Sequence, residues 1–222
     1  VFLLAFGQKK MFRRWVPAIM HLLIYLGFII INIEVLEFIL DGIGGRHRTF
    51  AGWLNTATGT GGYHSLYHIM MNIFEFLALG VIIACVIFLI RRNIMKLSRF
   101  RGIEMTRWPR LDANLILVFE IILMLAILLM NAADQELQKT YTDLYPQTGN
   151  LVLSQTIMVP LIDHLPPDTL RILERGAWWF HILGILGFAL YVTYSKHLHI
   201  ILAFPNTYYA SLRSPAEIPP ME

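Results

Sequence analysis

Eight histidines stand in a chain of 222 residues that is otherwise strongly apolar, and imidazole is a side chain through which helical bundles hold haem iron. His181 and His199 are eighteen residues apart in the last apolar block. On one continuous helix that is five turns of about 3.6 residues, so both point the same way, roughly 27 Å apart along the axis. Two imidazoles on one face at two membrane depths are what a stack of two haems requires. His197, sixteen residues from His181, points to nearly the opposite side. His21 lies about two turns inside the first apolar block. It matches His199 in depth if the first helix ascends and the last descends. Taken singly, each imidazole is equally well explained as interfacial or hydrogen-bonded. The shared phase of His181 and His199, with the matched depth of His21, is what points to iron.

Carboxylates supply a second kind of chemistry. Glu34, Glu37, Glu75 and Glu120 lie in or near apolar blocks, where ionisable groups are costly and often mark a proton or ion route. The first three fall near the outer side, close in depth to His64, His68 and His181. Acid–base groups there suit a reaction that releases protons together with electrons. Pairing with backbone or with interfacial basic groups explains them as well. Glu120 stands near mid-span with no role assigned. His47 and His164 fall in outer connections and read as ordinary surface imidazoles.

Such residues need a membrane bundle to position them, and the composition calls for one. Apolar residues make up 56 % of the chain and charged ones 15 %, against about 25 % charged in soluble domains. Mean hydropathy is +0.58. Apolar blocks near residues 15–40, 69–90, 111–130 and 177–204 each approach or exceed the roughly 20 residues of helix that cross a bilayer. No period-2 alternation suggests a barrel, so the expected fold is all-α, four full transmembrane helices, with Pro205 ending the last. Val1–Phe6 reads as the inner end of a preceding fifth helix. Residues 1–205 form the bundle on this reading, and 206–222 a cytoplasmic tail or linker.

Basic residues orient the bundle. Thirteen of the eighteen Lys and Arg lie before the first span, between the second and third, or after the fourth. The positive-inside rule puts those segments, residues 91–111 and the C-terminus included, in the cytoplasm. The net charge of +3 therefore needs no nucleic acid to explain it. The outer connection from about 131 to 176 carries apolar stretches at 151–161 and 169–173 that read as short surface helices. The single cysteine, Cys85, rules out an internal disulfide and an iron–sulfur cluster ligated within this chain, which takes about four thiolates.

Trp178-Trp179-Phe180-His181 together with Tyr194-Ser195-Lys196-His197-Leu198-His199-Ile200 and Phe204-Pro205 resembles the last helix of the respiratory nitrate reductase gamma subunit. Pro17-Ala18-Ile19-Met20-His21 resembles that family's inner-haem ligand segment. Most of the chain is also similar to the cytochrome-like membrane region of heterodisulfide reductase-related proteins, in which such a region is fused or bound to a cytoplasmic iron–sulfur module. The resemblance implies haem b, one centre or two, a quinone substrate near the outer haem, and a bacterial or archaeal inner membrane. It pairs His199 with His21, as the depths do. It pairs His181 with a residue ten beyond His21, which is Ile31 here and cannot ligate iron. Either His68 reaches His181, with His64 one turn further out as a poorer substitute, or the outer site lacks a second ligand or a haem. His64 and His68 share a helical face at i and i+4, so one can ligate while the other handles protons.

The expected function is a membrane cytochrome b that passes electrons between quinone and a cytoplasmic iron–sulfur subunit or fused domain. The haem ligands are His21, His199, His181 and His68, with His64, Glu75, Glu34 and Glu37 on the quinone or proton path. The alternative is a proton- or ion-translocating subunit that uses these His and Glu residues without haem. A cofactor-free anchor subunit is a third reading. A metal site at His197-x-His199 is disfavoured, because imidazoles at i and i+2 on a helix point apart.

Overall fold

In lipid the backbone must satisfy its own hydrogen bonds, and four apolar stretches here do so as long helices. The structure, a computed structural model, describes residues 15–59, 66–95 and 108–209. Helix α1 is Trp15–Gly44, α2 Thr49–Thr58, α3 Leu66–Asn93 and α4 Trp108–Thr140. A π-turn over Ser154–Met158 leads into α5 (Val159–Ile162), followed by α6 (Pro167–Val192), a 3₁₀ turn over Lys196–Leu198, and α7 (His199–Tyr208). Among the described residues there is no strand. Helices α1, α3, α4 and α6 are long and apolar enough to cross a membrane, and the protein is a multi-pass membrane protein. Val1–Phe6, His64 and residues 210–222 lie outside the described residues.

Each membrane helix turns one seam inward. On α3 the buried positions are Tyr67, Met71, Phe74, Ala78, Val81 and Cys85, a spacing of three and four that keeps one stripe facing its neighbours. On α1, Gly27, Ile31, Glu34, Phe38 and Asp41 make the matching stripe. A methyl group at Gly27 would stand 2.4 Å from Val81 Cγ2, so glycine is what lets α1 and α3 touch, as small residues do between membrane helices. Helix α4 is the shared neighbour, packed on α3 and on α6. Ile31, Val81, Leu123 and Ile127 belong to the common core. The buried positions of α6, Leu170, Glu174, Ala177 and His181, all lie between residues 170 and 181. The rest of α6 shows leucines such as Leu183, Leu186 and Leu190 to the outside, which is the lipid side.

Several boundaries differ from the sequence expectation. The expected fourth span over 177–204 is two helices, because α6 stops at Val192 and α7 starts at His199. The cause is Asp112 near the start of α4. One of its carboxylate oxygens accepts the Tyr191 hydroxyl and the other accepts the Lys196 backbone N–H at 3.0 Å. Ser195 is extended there (φ −105°, ψ 168°), and its Oγ accepts the His197 N–H at 3.0 Å, capping the new turn. Pro205 does not end the helix but lies inside α7. The expected surface helix at 169–173 is the opening of α6, and α4 runs ten residues past the expected end of its span. Those ten residues, Asn131 to Thr140, are mostly good helix formers whose polar side chains turn inward. Helix α2 was not foreseen.

Candidate functional site

The α6–α7 break shapes one end of the bundle. With the helix interrupted, His181 and His199 no longer share one axis, yet the break turns the His199 ring towards α1. The His21 and His199 rings face each other with centroids 6.4 Å apart and planes tilted by 50°. Two imidazoles bonded to one metal from opposite sides, at about 2 Å each, put their centroids about 6 Å apart. His199 Nδ1 donates to the Lys196 carbonyl at 2.9 Å. That fixes the tautomer and leaves Nε2 as the lone-pair nitrogen, the usual arrangement of a metal-bound histidine. His197 packs on His199 at 5.5 Å and on Phe188 at 5.3 Å. Among the described residues no three His, Cys, Asp or Glu side chains form a cage for a bare metal ion. Two imidazoles are a donor set that could hold haem iron.

His181 lies deeper and is buried. Its Nδ1 donates to the Leu123 carbonyl at 3.2 Å, and the edge of Phe38 packs against the ring at 5.9 Å. Its Nε2 is buried without a hydrogen-bond partner. It borders a cavity of about 60 Å³ that Ile31, Asn32 and Glu120 also line. Ile31 thus stands beside His181, where a second ligand would be needed. The cavity is far below the roughly 300–1,000 Å³ of a cofactor pocket. The residues around His181, as folded, do not make a two-imidazole haem site. His68 does not border this cavity. Its Nε2 bonds the Asn150 carbonyl at 2.7 Å, and its ring lies against Gly149.

The opposite end of the bundle, where α1 finishes and α3 begins, holds a buried polar network centred on Arg48. This residue is 4 % exposed and sits in the left-handed region at φ 57° and ψ 58°. Asp41 holds it there by accepting the N–H groups of Arg48 and Thr49, each at 2.9 Å. Its Nη2 donates to Asn131 Oδ1 at 2.7 Å and Asp134 Oδ2 at 3.1 Å. Nη1 donates to the Tyr67 hydroxyl at 3.3 Å and stands 3.7 Å from Glu34 Oε1. Burial alone would lower the affinity of Arg48 for its proton, but Tyr67, Asp134, Glu37 and Glu34 around it hold its pKa well above the ordinary value.

The three acids expected on a proton path gather here. Glu37 accepts the Tyr67 hydroxyl and the Phe50 N–H, each at 2.8 Å. Glu75 accepts the N–H groups of Leu153 and Ser154 at 3.0 and 3.1 Å, the Ser154 hydroxyl and the Asn131 amide. Glu34 is fully buried, and neither of its oxygens has a hydrogen-bond partner. Sequence reasoning missed Arg48, Tyr67, Asn131 and Asp134, and assigned His47 to the surface. The readable cue was the run Asn131 to Gln135, polar residues with helix-forming neighbours directly after an apolar block.

No family model matches the chain, and no solved structure matches it. Among curated proteins it is similar to the "Probable iron-sulfur-binding oxidoreductase FadF" of Bacillus subtilis (strain 168), at 27 % identity over 218 residues. The alignment covers 96 % of this chain and 27 % of that relative's length. The chain therefore spans about a quarter of the curated relative it matches.

Proposed function

We propose that the chain is a membrane electron-transfer domain of cytochrome b type, passing electrons between a quinone pool and an iron–sulfur oxidoreductase module. The observation that carries this reading is the facing of His21 and His199 at a separation suited to one iron between them. Haem bound there supplies one-electron chemistry. The chain's own residues do the rest: His21 and His199 would hold the iron, the Lys196 carbonyl orients His199, and Asp112 holds the turn that presents it. Glu34, Glu37 and Glu75 at the Arg48 end take up protons that quinol oxidation releases, with His68 in the first turn of α3 on the same path, and His64, which lies outside the described residues, assigned to it from the sequence. Cys85 is buried and is the chain's one cysteine, so a cluster belongs to another subunit or to a further stretch of polypeptide. The relative's name, iron-sulfur-binding oxidoreductase, and the chain's coverage of 27 % of its length agree with that. The distribution of basic residues supports a cytoplasmic His21 end, and the proposal sets the domain in a bacterial or archaeal inner membrane.

A dithionite-reduced minus oxidised spectrum of the purified intact protein tests the reading. The expected result is a b-type alpha band that disappears in His21→Ala and in His199→Ala. A purified chain without the band, or variants that keep it unchanged, would overturn the haem assignment. The buried ionisable network around Arg48 favours one alternative, a haem-free proton or ion translocator. That reading predicts pH-driven flux in vesicles made with colourless protein.

A further inference from the structure

The Arg48 network holds more acid than base. Within reach of the single buried guanidinium stand Glu34 and Glu37 from α1, and Asp134 from α4. Asp41 is engaged with the backbone of Arg48 and Thr49, and Glu75 has its own set of donors from the π-turn and Asn131. On α6, Glu174 pairs with Arg175 at 2.9 Å, and Tyr145 donates its hydroxyl to Glu174 at 3.4 Å. Among the described residues, every carboxylate facing the centre is met by at least one hydrogen-bond donor except Glu34, which has none. Burying a carboxylate charge without donors costs several kcal/mol, whereas a neutral acid avoids that cost.

One route leads from this centre towards water. Arg48 touches Glu34 through Nη1 and Asp134 through Nη2, so the two carboxyl groups flank one guanidinium. Asp134 Oδ1 is 2.7 Å from His47 Nε2, and the His47 side chain is 15 % exposed. Arg175 Nη2 lies 3.2 Å from His47 Nδ1. Because arginine only donates, Nδ1 accepts there and Nε2 carries the hydrogen given to Asp134. The Arg175 side chain is 44 % exposed while its Nε pairs with Glu174, so water approaches His47 Nδ1 where Arg175 Nη2 meets it.

We propose that Glu34 is the proton-holding acid of this end of the bundle, and that Asp134 and His47 connect it to the aqueous phase. Inward, a hydronium O–H bond breaks as its proton joins His47 Nδ1. The Nε2–H bond breaks as its proton joins Asp134 Oδ1. The Asp134 O–H bond then breaks as a water molecule admitted between the two carboxyl groups takes that proton and gives one of its own to Glu34, which gains the new O–H bond while Arg48 stays protonated. Outward the same steps reverse, and one proton occupies the network at a time. This deepens the proton-handling part of the proposed function and needs neither haem nor quinone.

The test is infrared spectroscopy of the intact protein in vesicles, without quinone or reductant, after transfer from H₂O to D₂O. The expected result is a carboxylic-acid C=O band that is absent in Glu34→Gln, shifted in Glu34→Asp and retained in Glu120→Gln. Its deuterium exchange slows about a hundredfold in His47→Gln, the lower end of what a positioned acid–base group contributes. A band that survives in Glu34→Gln, or that Glu34→Asp leaves unmoved, overturns the assignment of the acid. Exchange as fast in His47→Gln as in the parent overturns the route. A colourless protein that passes these measurements loses the haem reading alone.

Discussion

Arg48 takes a left-handed backbone conformation that non-glycine residues adopt at a cost of roughly 1–2 kcal/mol, and its charge is buried among acids. The guanidinium is what holds those acids together. Arg48→Leu would strand Asp134 and Glu34, and breaking a buried ion pair by removing one partner costs about 3–5 kcal/mol. The expected outcome is a marked fall in the detergent-solubilised melting temperature, with partial recovery when Asp134→Asn is added. Arg48→Lys, which keeps the charge but not the planar fork, should fall between. This residue was illegible in the sequence for a plain reason. Arg46 and Arg48 follow an apolar block and look like any other flanking charges, so composition assigned them to orientation alone. His21 and His199 were legible because imidazole in an apolar helix is rare enough to count and place by depth.

At the scale of elements, the inner histidine pair came together by a route the sequence did not show. Phase along one helix was the premise, and the helix is broken at Thr193–Ser195. Ser195 is a local cue to a new helix start, but its partner Asp112 lies 84 residues away from Lys196, beyond any window reading. Asp112→Ala removes the acceptor from the Lys196 N–H and the Tyr191 hydroxyl. A buried donor left unpaired costs about 1–3 kcal/mol, enough to let the turn reset. The expected outcome is a weakened alpha band in Asp112→Ala, with most of it kept in Asp112→Asn, whose amide oxygen still accepts. The lengths of α1 and α3 were readable from hydropathy. The last ten residues of α4 were not, because hydropathy finds only the lipid-crossing part of a helix whose end is polar and buried in protein.

For the whole molecule, the four-helix membrane architecture was legible from composition and block length, since lipid admits few other solutions. Which end holds which chemistry was only half legible. The acids were placed correctly near one end, but the ion-pair network that organises them spans α1, the α1–α2 connection, α3, α4 and α6, and emerges only on folding. The orientation expected from the basic residues is open to direct measurement. With Cys85 buried, Arg46→Cys should react with a membrane-impermeant maleimide added to intact cells. Met95→Cys should react only once the membrane is opened. The reverse pattern would invert the assignment of the two sides.

His21 and Glu34 sit on the same helix, thirteen residues apart, which is about 20 Å of rise through a hydrocarbon layer of about 30 Å. An electron delivered near one and a proton handed out near the other would finish on different halves of the bilayer. Turnover would then work with or against the membrane voltage, by up to about 1.5 kcal/mol per 100 mV on the scale of 2.3 for a full crossing. On the proposed function, the spacing of two side chains on α1 would make turnover electrogenic.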